Sequence, residues 1–341
     1  MLKLVTIVGT RPEIIRLSRI IPHLDKYFDH TLVHTGQNYD YELNELFFWD
    51  LGLRKPDYYL NIRGTSSADV IGQIIIESDK VFDNLQPDGL LILGDTNSSL
   101  CAISAKKRKI PIFHMEAGNR CFDSRVPEEI NRKIVDHVSD INLPYSSIAR
   151  EFLIGEGLPP QNIIKTGSPL PEVLSHYREK ILASEILDRM ELQKNKYFLI
   201  SCHREENVDD PKEFSKFIEL LRRLADQYSL PVIVSTHPRT LKKLNDVVFE
   251  PIEHVQFSKP LSFTEYCKLQ LNAKIVLSDS GTITEEASML GFNALNLRKT
   301  HERHEGMEET AVIMTGMEPD NIFLAIKILD DGNKSYSQTI N

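Results

Sequence analysis

Short apolar runs alternate with amphipathic segments along most of the chain. The runs are rich in valine, isoleucine and leucine, as in strands buried on both faces of a sheet, and the segments between them repeat apolar residues at helical spacing. The predicted strands are Leu4–Val8, Thr31–His34, Gly89–Leu93, Ile110–His114, Ile141–Pro144, Tyr197–Cys202, Val232–Thr236, Val255–Phe257, Ile275–Ser278 and Ala294–Leu297. The predicted helices are Ile14–Lys26, Tyr41–Leu51, Ser67–Leu85, Thr96–Arg108, Glu128–Val138, Ser146–Glu156, Pro211–Gln227, Thr240–Val248, Ser262–Leu271, Ile283–Leu290 and Met307–Thr310.

This alternation occurs twice, and 341 residues are more than one domain usually contains. We therefore predict an α/β protein of two doubly wound, Rossmann-like domains, covering 1–166 and 167–317, with the boundary near residues 167–189. The remaining segment, 318–341, is predicted to hold a helix, Pro319–Asp330, and a polar tail. Because such sheets bind ligands beyond the carboxyl ends of their strands, we expect the site in a cleft between the domains.

Composition and charge narrow the class of protein. The net charge is −9, which argues against a nucleic-acid partner. The four cysteines are far apart and form no CxxC pair, which argues against a disulfide framework and fits a cytoplasmic protein. The apolar run at the N-terminus is brief and no stretch approaches 18 apolar residues, so we expect neither a signal peptide nor a membrane span.

The segment Asp279–Glu286 reads as a turn that opens a helix. Backbone N–H groups of Ser280, Gly281 and Thr282 would point at an anion such as a phosphate. Glu286, about one turn deeper, could reach a ribose, and Arg298 and Arg303 could neutralise a diphosphate. A nucleotide-sugar site is the working hypothesis, and the alternative is a capped helix with surface arginines.

Three acids follow the strands of the first half. Asp95 comes after Gly89–Leu93, Glu116 comes after Ile110–His114, and Glu128 opens a helix. If they converge in one cleft, they supply the set of carboxyl groups that acid–base chemistry needs. The alternatives are a helix cap for Asp95 and a surface ion pair between Glu128 and Arg132, which are four residues apart on one helical face.

Basic side chains also follow strands. Arg11 and Arg16 would point toward the cleft from the turn after the first strand, where the alternative is a plain strand–helix turn. His203 follows the first strand of the second half, where it could contact a phosphate, take part in proton transfer or be structural. His237 follows the next strand.

Two kinds of ligand are disfavoured by the motifs. The sequence His301-Glu-Arg-His304 lacks the i, i+4 histidine pair of a helical zinc site. Neither GxGxxG nor GxxxxGK[ST] occurs, so dinucleotide or P-loop binding is not predicted.

Taken together, these motifs resemble those of the non-hydrolysing UDP-N-acetylglucosamine 2-epimerases. The similarity extends over nearly the whole chain. It rests on Gly9-Thr-Arg-Pro-Glu13, Thr35-Gly-Gln37, Gly94-Asp-Thr96, His114-Met-Glu-Ala-Gly118, Pro127-Glu-Glu-Ile-Asn-Arg132, His203-Arg-Glu-Glu-Asn207, Asp279-Ser-Gly281 and His301-Glu-Arg303.

The resemblance implies an architecture and a reaction. The architecture is that of glycosyltransferase-B enzymes, as a homodimer, with a C-terminal helix crossing back to the first domain. The reaction is epimerisation of a UDP-2-acetamido sugar at C2, by elimination of UDP to a 2-acetamidoglycal and re-addition, with neither metal nor NAD.

The resemblance also implies residue roles. Asp95, Glu116 and Glu128 would be the acid–base candidates, and Arg132 would orient them. His203 would contact the diphosphate or assist proton transfer. The phosphates would be held by Arg11, Ser280, Gly281 and Arg303, and the ribose hydroxyls by Glu286.

Departures from the family pattern leave the substrate open. The family commonly has Lys at Arg16 and a second Gly at Thr282. The motif sequences at residues 36–42, 115–122 and 301–307 resemble more closely those of a subgroup of enzymes for capsule and O-antigen synthesis, which form UDP-N-acetyl-L-fucosamine. Two further hypotheses are a glycosyltransferase of the same architecture, which needs an acceptor groove instead of three acids, and a non-catalytic UDP-sugar-binding protein.

Overall fold

The computed structural model describes residues 1–36, 41–236, 240, 243–244, 251–259, 261–298 and 312–339, with the backbone alone described at 41–44, 205–206 and 332–339. The chain divides into two compact units, Met1–Arg178 and Glu179–Asn341. Each unit contains one six-stranded sheet among its described residues.

The first unit has a parallel sheet with helices between its strands. The strands are β1 Lys3–Val8, β2 Asp29–His34, β3 Tyr58–Tyr59, β4 Gly89–Leu93, β5 Ile112–Met115 and β6 Ile141–Leu143. The helices are α1 Arg11–Leu17, α2 Ile20–Tyr27, α3 Tyr41–Asp50, α4 Ser67–Leu85, α5 Ala102–Lys107, α6 Pro127–Val138, α7 Ser147–Gly155 and α8 Leu170–Ala183, with 3₁₀ turns at Asn97–Cys101 and Pro160–Asn162. The strand order is β3-β2-β1-β4-β5-β6. All five residues of β4 are buried, as expected for a central parallel strand.

The second unit repeats this plan. Its strands are β7 Phe198–Ser201, β8 Val232–Ser235, β9 Val255–Ser258, β10 Ile275–Ser278, β11 Ala294–Asn296 and β12 Val312–Met314. Its helices are α9 Ile186–Arg189, α10 Glu205–Val208, α11 Pro211–Tyr228, α12 Phe263–Asn272, α13 Ile283–Leu290 and α14 Pro319–Thr339. The order is β12-β11-β10-β7-β8-β9, so β7 and β10 occupy the central positions that β1 and β4 occupy in the first unit. The predicted fold class, two doubly wound Rossmann-like domains, is confirmed.

Three predicted elements differ from the structure. The single helix expected over 14–26 is two helices, because Pro22 lacks the N–H that would bond to the carbonyl of Ser18 and its ring clashes with that carbonyl. The segment taken as a boundary contains α8. The last helix continues through Gly332, since glycine costs a helix only about 1 kcal/mol and does not forbid it.

Two other expectations are not settled by these elements. The division of the chain at residues 166 and 317, and the crossing of the last helix back to the first domain, stay predictions. The predicted helices 240–248 and 307–310 lie largely or wholly outside the described residues.

Candidate active site

The central strands of the first sheet bring two of the predicted acids to one edge. Leu93 of β4 pairs with Met115 of β5, and the chain continues from these positions into Gly94 and Glu116. A Cβ atom at Gly94 would lie 4.0 Å from Glu116 Oε2. Asp95 is the next residue along, so the loops that follow β4 and β5 place both carboxyl groups at the carboxyl edge of the sheet.

Asp95 is held by an arginine. Its Oδ2 atom accepts hydrogen bonds from Arg132 Nε at 3.0 Å and Nη2 at 2.6 Å. Arg132, 4% exposed, donates its remaining Nη1 to Glu129 Oε2 at 2.6 Å. The predicted alternative of a helix cap is not the role found for the Asp95 side chain, whose hydrogen bonds go to the Arg132 guanidinium.

Glu129 is a buried support for this arrangement. It is 1% exposed and accepts the backbone N–H groups of Cys121 and Phe122 at 3.1 and 3.2 Å. Burial alone would raise the pKa of its carboxyl group, but the Cys121 N–H and the Arg132 guanidinium outweigh burial and hold that pKa below its ordinary value. Glu129 therefore carries a charge at neutral pH.

Glu128 occupies a different environment from its neighbour. It is half-buried in the first turn of α6, and among the described residues it makes no hydrogen bond or ion pair. The ion pair between Glu128 and Arg132, which was the alternative to a catalytic role, does not form, because the guanidinium turns to Glu129 and Asp95 instead. The catalytic role of Glu128 stays a prediction.

The backbone at Glu116 has an unusual conformation. Its φ is +63°, in the left-handed region that non-glycine residues rarely adopt. Its carboxylate lies 3.7 Å from Arg16 Nη1 and accepts a hydrogen bond from Asn119 at 3.3 Å. Arg16 is 2% exposed and also packs over the Tyr145 ring. Strained backbone of this kind concentrates at functional sites.

A buried chain of charges supports the loop that carries Glu116. His114 Nε2 contacts the carbonyl oxygen of Gly94 at 2.9 Å and Nδ1 contacts Asp136 at 2.9 Å. Asp136 in turn accepts a hydrogen bond from Arg120 Nη1, and Arg120 donates two further hydrogen bonds, from Nε and Nη2, to the carboxylate of Glu156. Burial would lower the pKa of His114, but the Asp136 carboxylate and the Gly94 carbonyl raise it above its ordinary value. The chain joins the loops after β4 and β5.

Glu13 lies in the first turn of α1, two residues after Arg11, and is bonded to the residues that follow β1 and β4. Its carboxyl group accepts the backbone N–H groups of Gly9 and Thr10 and the hydroxyl of Thr96. Burial, with a smaller contribution from the charge of Asp95, raises the pKa of Glu13 to about 7 against the lowering effect of these three bonds. Arg11 lies with its guanidinium 5.6 Å from the centre of the Phe47 ring.

The second sheet repeats the arrangement with a histidine. Ser201 of β7 pairs with Ser278 of β10, so His203 and Asp279 follow neighbouring strands. Asp279 is fully buried; its Oδ2 accepts the N–H groups of His203 and Arg204 at 2.9 Å, and its Oδ1 lies 3.1 Å from His203 Nδ1. Burial would raise the pKa of Asp279, but His203 and these donors hold it well below the ordinary range. Asp279 therefore fixes the ring of His203, whose side chain is 37% exposed.

The helix that follows β10 begins as predicted, at Ile283, but its N–H groups are only partly available. Ser280 N donates to Ser278 Oγ at 3.0 Å and Thr282 N to Ser280 Oγ at 3.3 Å. Gly281 N has no partner among the described residues. Of the N–H groups of Ser280, Gly281 and Thr282, that of Gly281 can therefore bind an anion without losing an existing hydrogen bond to a described residue.

Glu286 is held in place from two sides. Its carboxylate oxygens accept hydrogen bonds from Thr282 Oγ1 and Gln270 Nε2, both at 2.6 Å. Arg298 follows β11, beside β10, and is 2% exposed. The other two predicted ligand contacts, His237 and Arg303, lie outside the described residues.

Sequence reasoning missed the four buried acids that position these loops: Glu13, Glu129, Asp136 and Asp279. Three of them stand inside or beside motifs that the sequence singled out. Each accepts backbone N–H groups of a loop, a role that depends on tertiary contacts. The Thr10–Glu13 spacing of a capping box was the one local signal.

Metal clusters and membrane-spanning helices are both absent from the described residues. No group of three or more His, Cys, Asp or Glu side chains there is placed to hold a metal ion. No helix in that part of the chain combines the length and apolar character needed to cross a bilayer.

Comparison with known proteins gives the family. The sequence model of a family described as UDP-N-acetylglucosamine 2-epimerase matches residues 23–341. A UDP-2,3-diacetamido-2,3-dideoxy-D-glucuronate 2-epimerase of Pseudomonas aeruginosa is 32% identical, over 97% of this chain and 95% of that protein.

Two solved structures share the fold. A UDP-N-acetylglucosamine 2-epimerase from Rickettsia bellii is 52% identical, with a TM-score of 0.89 over 96% of this chain and 87% of that one. The Methanocaldococcus jannaschii UDP-GlcNAc 2-epimerase, in complex with UDP-GlcNAc and UDP, is 34% identical, with a TM-score of 0.90 over 96% of this chain and 92% of that one. The match of fold, motifs and sequence over nearly the full length confirms the predicted family: the chain is an isomerase that belongs to the non-hydrolysing UDP-N-acetylglucosamine 2-epimerases.

Proposed function

We propose that the protein interconverts UDP-N-acetylglucosamine and UDP-N-acetylmannosamine by inverting C2 of the sugar. The observation that carries the proposal is the placement of Asp95 and Glu116 at the ends of adjacent strands. Arg132 binds the Asp95 carboxylate, and Arg16 lies near that of Glu116. The M. jannaschii relative, which binds UDP-GlcNAc, supports this choice of substrate.

The chemistry explains the need for several carboxyl groups. A base removes the C2 proton, the electron pair forms a C1=C2 double bond, and the bond between C1 and the phosphate oxygen breaks, so UDP leaves with its electrons. UDP then adds back at C1, and an acid delivers a proton to the opposite face of C2. Asp95, Glu116 and Glu128 are the proposed acid–base groups, since removal and return occur on different faces. In this route C2 loses and regains a proton rather than a hydride, so the route calls for no NAD, and we propose that it also proceeds without a metal.

The departing UDP needs donors that stabilise its growing charge. We assign this role to Arg11, His203, Gly281 and the neighbouring Ser280 and Thr282, together with Arg303, and we assign the ribose hydroxyls to Glu286. Arg16, Arg298 and His237 are proposed to contact the same nucleotide sugar. The fixed His203 ring and the Gly281 N–H, which has no partner in the described part of the chain, support these assignments.

A second candidate is the C2 epimerase that forms UDP-N-acetyl-L-fucosamine from UDP-2-acetamido-2,6-dideoxy-L-talose. The amino-acid sequences of the motifs at residues 36–42, 115–122 and 301–307 favour this candidate. The P. aeruginosa relative carries the name of a different sugar substrate, which supports treating the sugar as variable within the family. We further propose a cytoplasmic homodimer that supplies sugars for surface polysaccharide.

Proton NMR in D2O tests both candidates. Incubation with UDP-GlcNAc should place deuterium at C2 and produce the manno-configured product. If the protein turns over the 6-deoxy-L-talose nucleotide but not UDP-GlcNAc, the second candidate function is the correct one. Binding of UDP without deuterium exchange on either sugar would overturn both and favour a glycosyltransferase or a binding protein.

A further inference from the structure

Helix α1 begins with a capping box formed by Thr10 and Glu13. In this motif the glutamate accepts the N–H of the cap residue, which satisfies a donor that the helix leaves free. Helix α12 has the same motif, formed by Ser262 and Glu265. A cap alone would make the two glutamates equivalent.

Both glutamates make a further bond, and they differ in its partner: Glu265 accepts from Arg189 Nη2 at 2.6 Å, and Glu13 accepts from a hydroxyl beside Asp95. Thr96 Oγ1 donates to Glu13 Oε1 at 2.6 Å, from the loop after β4 and 83 residues away in sequence. Thr96 precedes the 3₁₀ turn 97–101, yet its side chain makes no capping bond there. Its hydroxyl is directed to Glu13 instead.

The surroundings fix this link tightly. Glu13 is 3% exposed, and the neighbouring Gly9 has no space for a side chain, since a Cβ there would collide with the hydroxyls of Thr35 and Ser98. Those two hydroxyls are themselves hydrogen-bonded at 2.9 Å. The loops after β1, β2 and β4 are thus packed against one another at the level of Glu13.

We propose that Glu13 is a positioning residue for the epimerisation: through Thr96 it holds the start of α1, where Arg11 lies, and the loop that carries Asp95 in one fixed arrangement. The inference rests on the proposed function, because the position of Asp95 affects the rate only if Asp95 takes part in the proton transfer. Asp95 directly follows Gly94 and precedes Thr96, so a shift of the Thr96 hydroxyl moves the Asp95 carboxylate. Errors of about 1 Å in a reacting group can lower a rate by about a hundredfold.

The test separates the link from the cap. Thr96→Val keeps the shape of the side chain and the capping box but removes the link, and Thr96→Ser keeps the hydroxyl. Glu265→Gln alters the same kind of cap, together with an ion pair to Arg189, at a place far from Asp95 in sequence. We expect Thr96→Val to lower kcat about tenfold or more, with KM for the nucleotide sugar changed by less than about threefold. Thr96→Ser should restore most of the lost kcat, and Glu265→Gln should turn over like the unaltered protein.

All variants are compared below their unfolding temperatures, with deuterium incorporation at C2 as the readout and Asp95→Asn included. A Thr96→Val protein with unaltered kcat, beside an inactive Asp95→Asn, would overturn the positioning role. So would an equal loss of kcat in Glu265→Gln. Full turnover in Asp95→Asn would instead overturn the acid–base assignment of the proposed function.

Discussion

Asp95 and Glu129 share the guanidinium of Arg132, which gives two nitrogens to the first carboxylate and one to the second. The two acids differ in exposure, 26% for the Asp95 side chain and 1% for that of Glu129. One end of this ion-pair chain is therefore partly exposed at the carboxyl edge of the sheet, and the other is buried in the protein.

Replacement of Arg132 by Ala should damage both stability and activity. It leaves Glu129 buried without its ion pair, which typically costs about 3–5 kcal/mol, and it releases Asp95. Urea unfolding and C2 deuterium exchange measure the two effects. Lys133→Ala is the matched control: Lys133 Nζ lies 3.7 Å from Glu129 but is 45% exposed, so we expect a change of less than about 1 kcal/mol. Equal effects of the two substitutions would contradict the proposed anchoring.

The double variant Arg132→Met with Glu129→Gln extends this test. Without either charge, the burial penalty disappears, so stability should largely return. Turnover should remain low, because Asp95 still lacks its partner. Recovery of turnover along with stability would show that Arg132 acts on the fold alone.

Stability should depend on pH through Glu13. Its pKa rises from 4.5 in the unfolded chain to about 7 in the folded protein, so folding favours the protonated acid. This contribution is fully present below pH 4.5 and is lost as the pH rises through about 7. Relative to Glu13→Gln, the unaltered protein should lose on the order of 2 kcal/mol of unfolding free energy between about pH 5 and pH 8. A constant difference between the two proteins in urea titrations would refute the expectation.

Asp279 and His203 should behave as one unit in nucleotide binding. Asp279→Asn weakens the hold on the His203 ring, so UDP affinity should fall about tenfold or more, the scale of a charge-assisted hydrogen bond. His203→Ala should give a comparable loss, and the double variant should add little to either. Calorimetric titration with UDP measures all three. Fully additive losses would mean that the two side chains act independently.

Two glycines should respond oppositely to alanine. Gly9→Ala places a Cβ against the hydroxyls of Thr35 and Ser98, and overpacking of this kind costs about 1–3 kcal/mol. Gly72 lies within α4, where an added Cβ meets nothing within 4 Å. Gly72→Ala should therefore leave stability unchanged or raise it by up to about 1 kcal/mol, since alanine favours helices. Thermal unfolding of both variants checks the contrast.

Much of the fold could be predicted because periodicity is a local property. The helix over 67–85 and the helix over 283–290 have the predicted ends, and Ser66 and Gly291 supply the cap and the left-handed terminus that mark them. Helix α8 was missed although Leu170, Val173 and Leu174 are buried at helical spacing. A domain boundary was predicted over this segment instead, where Gly167 and Pro169 precede the helix and Pro171 lies in its first turn.

The candidate site was predicted less completely, for a physical reason. Helix geometry allows Arg132 to pair with either Glu128 or Glu129, at four or three residues' distance. Which pair forms depends on Asp95, which reaches the helix only after the sheet has assembled. Contacts of this kind leave no periodic signal, so the motifs predicted the groups near the ligand better than the groups that support them.

At position 116 the demands of the backbone and of the chemistry select different residues. The φ of +63° suits glycine, which would relieve a conformational cost of about 1–3 kcal/mol but would provide no carboxylate. The protein has glutamate there, and the contacts of its carboxylate with Arg16 and Asn119 act against this backbone cost. The same side chain that strains the loop therefore also ties it to α1, so an acid of the proposed active site is held in place by the conformation that it makes costly.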